Sequence, residues 1–74
     1  MQCDILIVFK TVLAQDAMGR AKTCLMEVAA SVLVHQPENM DRVLLVKFDP
    51  SETGPSQLLN AVRAAGFDAT MAGS

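Results

Sequence analysis

Tryptophan and tyrosine are missing from these 74 residues, and there are only one histidine, two cysteines, three prolines and four glycines. The lone histidine, His35, has no nucleophile and carboxylate set out to partner it, so the inventory argues against an enzyme. Lys and Arg form no block and the net charge is −2, so nothing gathers a phosphate backbone. The only aromatics are three phenylalanines, too few and too apolar in setting to stack bases, which excludes nucleic acid as a partner. No apolar run nears the ~18 residues that cross a bilayer, so no membrane insertion is expected. The scarcity of Gly and Pro beside 51% hydrophobic residues excludes a disordered or low-complexity segment. The glycines stand singly at positions 19, 54, 66 and 73, without dinucleotide or P-loop spacing.

What is present fits one domain over residues 1–74, since a chain shorter than the usual ~100–200 residues supports a single core. Cys3 and Cys24, in a chain whose start lacks the order of a secretory leader, read as reduced and packed thiols rather than a bridge. The expected location is therefore the cytoplasm.

Asp4–Phe9 is short and rich in β-branched residues and reads as a strand. Met18, Ala21, Leu25 and Val28 then recur on one face of a helix, with Asp16 as its expected N-cap and Gly19 costing it about 1 kcal/mol. Ser31–His35 and Arg42–Phe48 are two further strands joined by a turn over residues 36–41. Gly54-Pro55-Ser56 opens a second helix whose buried face is Leu58, Leu59, Val62 and Ala65, closed by Gly66. Phe67–Met71 is the last strand. The order β-α-β-β-α-β predicts an α+β, ferredoxin-like sandwich, a four-stranded antiparallel sheet with two helices on one face.

The run Val46-Lys47-Phe48-Asp49-Pro50, then Leu58, Ala61-Val62 and Ala64-Ala65-Gly66-Phe67-Asp68-Ala69, resembles the second half of heavy-metal-associated domains. These are the small copper chaperones, the periplasmic mercury carrier and the N-terminal modules of metal-transporting P-type ATPases. The resemblance implies a Met-X-Cys-X-X-Cys loop after the first strand, where two thiolates hold a soft cation beside a helix N-terminus. Counting forward from Ile5, Ile7 and Phe9 places Val12 at the family's Met and Ala14 and Ala17 at its two cysteines. Counting back from Asp49-Pro50 gives Gln15 and Met18 instead. Neither register holds a thiol, so no metal and no cofactor is expected at the family positions.

Other metal donors are sparse. Cys24 lies about three helical turns past Ala14, and Cys3 precedes the first strand at the far end of the sheet. A Cu(I) site using Cys3 and Cys24, with a methionine, is the alternative reading. Met18, Met26, Met40 and Met71 are scattered over several elements and are expected to fill the core. Asp49 and Glu52 form a turn, and Phe67 is expected to cover the Val12–Ala17 loop.

Alternation carries the strongest functional signal. With Ile5, Ile7, Phe9, Val32, Val34, Leu44, Val46 and Phe48 facing the helices, the other sheet face holds Leu6, Val8, Leu33, Val43 and Leu45 among Asp4, Ser31, His35 and Lys47. Such a face on a solitary monomer is normally polar; five large aliphatics mark an interface. The expected function is a non-catalytic module of this type that acts in metal homeostasis through protein contacts. It would form a homodimer or other homo-oligomer, or dock on a protein partner, through that face.

Overall fold

A computed structural model describes residues 2–73. The elements are β1 (Cys3–Phe9), α1 (Gln15–Met26), β2 (Leu33–His35), β3 (Val43–Phe48), α2 (Pro55–Ala64) and β4 (Ala69–Gly73). The four strands form one antiparallel sheet in the order β2-β3-β1-β4, with β3 and β1 central and β2 and β4 at the edges. Each helix therefore connects two parallel strands with a third strand between them, the split βαβ arrangement of the expected sandwich.

Alternation along the strands decides what is inside. Ile5, Ile7 and Phe9 of β1 and Leu44, Val46 and Phe48 of β3 are buried, and Met18, Ala21 and Leu25 of α1 with Leu58 and Val62 of α2 close over them. Phe9, Phe48, Ile7, Leu25, Leu44, Leu58, Val46 and Val62 are the largest fully buried side chains, each contributing about 1.5–3 kcal/mol by transfer from water. Val32 adds to this core from just before β2.

Several boundaries differ from the sequence reading. The N-cap of α1 is Ala14, not Asp16, and no side chain caps it; Asp16 lies in the first turn, where its charge opposes the exposed amide dipoles. Cys3 is the first residue of β1 rather than its forerunner, opposite Phe48. Ser31 and Val32 lie outside β2 because the Val32 N–H still donates to the Ala29 carbonyl (3.2 Å) in the turn leaving α1. Phe67 and Asp68 precede β4, and Ala65 is exposed at the C-cap of α2.

That second helix ends as a closed motif. The Phe67 N–H donates to the Val62 carbonyl (3.1 Å) and the Gly66 N–H to that of Arg63 (3.0 Å), with Gly66 at φ 99°. A side chain forced into that left-handed position costs about 1–2 kcal/mol. At its start, the Gln57 Oε1 accepts from the Gly54 N–H (2.9 Å) and the Thr53 hydroxyl (2.8 Å), which satisfies the one buried polar side chain among the described residues.

The methionines divide against expectation. Met18 alone of the four fills the core, whereas Met26, Met40 and Met71 are exposed.

Candidate functional site

Strand register builds the helix-free face in rows. Asp4 lies opposite Lys47, Leu6 opposite Leu45, and Val8 opposite Val43, all across the central β1–β3 pair. On the flanks, Leu33 pairs with Lys47 and His35 with Leu45 from β2, while Ala72 pairs with Leu6 and Thr70 with Val8 from β4. The five aliphatics expected on this face all stand on it. Leu6 is 37% and Leu33 58% exposed; Val8, Val43 and Leu45 are half-buried by their own neighbours. Leu6, Leu45, Val8, Val43 and Ala72 form one continuous apolar area, and Leu33 stands beyond Lys47 at the corner. Cross-strand aliphatic pairs and the opposed Asp4 and Lys47 charges each favour this pairing by tenths of a kcal/mol.

The loop between β1 and α1 carries no donor suited to a soft cation. Val12 is 61% exposed, Ala14 is exposed at the N-cap and Ala17 is half-buried in the first turn. In the other counting, Gln15 opens the helix and Met18 is committed to the core. The loop is fastened at both flanks: the Leu13 N–H donates to the Asp41 carbonyl (3.4 Å) and the Lys10 N–H to that of Asp68 (3.0 Å). An exposed Lys10–Asp68 ion pair (3.8 Å) accompanies the second.

Cys3 and Cys24 are both free and both half-buried. Cys3 packs against the core from the start of β1, and Cys24 lines a groove between α1 and the C-terminal end of α2. Among the described residues no three His, Cys, Asp or Glu side chains converge as a cation would require. The turn carboxylate Asp49 is held below the usual carboxylate range because the Ser51 N–H (2.9 Å) and hydroxyl (2.8 Å) both donate to its Oδ1.

The sequence does not announce the groove beside Cys24. Arg20, Thr23, Cys24 and Phe67 line it together with Asp16 and Ala65. Phe67 meets Phe9 edge-on at 5.8 Å and lies 5.7 Å beneath the Arg20 guanidinium. It thus meets the C-terminal end of β1 and the second turn of α1, and shares a groove with Asp16 beside the Val12–Ala17 loop. Phe67 and Arg20 are 47 positions apart, so no local pattern joins them.

No protein-family model matches the chain, and no curated protein matches it in sequence. Among solved structures, oxidized MerP from Ralstonia metallidurans CH34 superposes with a TM-score of 0.82 at 18% identity, over 96% of this chain and 97% of MerP. The copper binding domain from HMA7, a P-type ATPase, gives 0.75 at 21% identity, over 96% of this chain and 93% of that domain. Identity at this level speaks for architecture rather than chemistry. The family resemblance of the sequence is thereby matched in three dimensions along almost the whole chain: its fold is that of the heavy-metal-associated domains.

Proposed function

We propose that this chain is a non-catalytic heavy-metal-associated module that has given up the thiolate pair and acts by binding protein through its outer sheet face. Its partner is a second copy or another component of cytoplasmic metal homeostasis. The observation that carries this reading is the continuous area of Leu6, Val8, Val43 and Leu45 on the face that no helix covers. Alanine at positions 14 and 17, in the loop that would otherwise hold the metal, supports the same view. Light scattering across a concentration series, with and without candidate partners, tests it. Association weakened by Leu33→Lys and Leu45→Lys is the expected result; a chain that stays monomeric and gains no partner refutes it.

A soft-metal carrier using Cys3 and Cys24 is the second reading, favoured by both thiols being unbridged and by the copper site of one structural neighbour. Titration of Cu(I) against a competing chelator separates the two. The expected result is no binding tighter than micromolar; tight binding that Cys3→Ser or Cys24→Ser abolishes selects the carrier instead.

A further inference from the structure

We infer that the occupant of the outer sheet face is a second copy of this chain, stacked about a two-fold axis that runs along the strands between β3 and β1. This rests on the reading of that face as a protein interface and adds which protein and which orientation. The support is the register itself. Across the two central strands, Lys47 stands beside Asp4, Leu45 beside Leu6 and Val43 beside Val8. Rotation about an axis between those strands exchanges β3 of one copy with β1 of the other. Leu45 then covers the partner's Leu6, Val43 the partner's Val8, and Lys47 the partner's Asp4. On the flanks, His35 comes over the partner's Ala72, a ring against a methyl group.

Orientation is decided by the charges. A two-fold axis across the strands, through the Leu45–Leu6 row, sets Lys47 against the partner's Val43 and Asp4 against the partner's Val8. Asp4 and Lys47 of each copy would then lose water against the partner's valines with only each other as counter-charge and no new one gained. The axis along the strands instead satisfies both twice, and a self-matching patch is what closed pairs require. Asp4 and Lys47 also cancel, so the face presents no net sign by which to select an unlike partner.

Size sets the strength. The four strands hold seven, three, six and five residues; at ~3.3 Å per residue and ~4.8 Å between strands they give a face of roughly 330 Å². Stacking two such faces covers about 670 Å² in total, below the ~1,200–2,000 Å² of stable specific interfaces, which describes a weak, reversible pair. Twisted sheets stack about 30° apart, which inclines the axis by about half that angle to the strands.

Sedimentation of the full chain from micromolar to millimolar concentration tests this with Asp4→Lys and Lys47→Asp. Both residues are exposed, and urea midpoints check that each variant is folded. The expected result is a wild-type monomer–dimer equilibrium, weakened about tenfold or more by either reversal, because each creates two like-charge pairs. An equimolar mixture of the two variants should regain wild-type affinity, since the lysine introduced in one chain then meets the aspartate introduced in the other. A mixture that stays dissociated overturns the inference, because the loss then arises within one chain. Reversals without effect, beside a Leu45→Lys that abolishes pairing, overturn this orientation and leave the face as an interface. A wild type monomeric at millimolar concentration overturns the second copy and leaves an unlike protein as the occupant.

Discussion

Ile7 and Leu6 are neighbours in β1 and differ little in size or polarity, yet Ile7 is fully buried while Leu6 is 37% exposed. The contrast extends over the sheet. Leu44 and Val46 lie under the helices, and Val43 and Leu45, interleaved with them, lie on the open side. Pleat alone assigns residues to faces, because successive side chains point to opposite sides. Composition alone does not say which face is covered, since both are aliphatic. What separates them is the set of helical residues, Met18, Ala21, Leu25, Leu58 and Val62, that only one face receives. The outer face carries Leu6, Val8, Val43 and Leu45 with no such residues over them.

Truncations in β1 measure the asymmetry most directly. Ile7→Ala should cost about 2–5 kcal/mol through lost burial and a residual cavity, whereas Leu6→Ala should cost less than about 1 kcal/mol in the monomer. Urea denaturation at low concentration compares them, and equal losses would break the distinction between the faces. Leu45→Lys sharpens it from the other side. This change should leave monomer stability within about 1 kcal/mol while shifting the sedimentation profile at high concentration to the monomer. A Leu45→Lys chain that unfolds would mean the outer face is needed for folding itself.

The smallest effect is expected at the end of β3, where the alternation stops. Asp49 has its folded-state pKa lowered by the Ser51 donors, so its contribution is present above the ordinary carboxylate value. It is lost as pH falls through the lower, folded-state value. Wild type minus Asp49→Asn should therefore show a urea midpoint difference near neutral pH that fades on acidification. A difference independent of pH would assign it to packing instead.

The faces are legible from sequence because period two survives in β1 and β3, and the helix faces because Met18, Ala21 and Leu25, and Leu58 and Val62, keep helical spacing. Gly66 announces the end of α2 correctly, since its positive φ is a local demand. Asp16 misleads as an N-cap because it has the right side chain, while the helix begins earlier, behind a bare alanine. Three methionines mislead for a similar reason: flexibility and apolarity say that Met26, Met40 and Met71 can fill space, not that space awaits them. The site follows the same division. The absence of thiols from residues 10–18 is plain in the sequence, whereas the Arg20–Phe67 contact needs the chain folded.

The short β2 strand bears on what kind of assembly a greasy sheet builds. With three residues before Gln36-Pro37, this flank offers few free amides to an incoming strand, and proline cannot extend the ladder. On the opposite flank the Arg63 Nε donates to the Ala69 carbonyl (3.1 Å), taking up an acceptor at the start of β4. Both margins are thus partly closed to an incoming strand, which disfavours sideways cross-β pairing and leaves the broad surface as the route by which copies would meet.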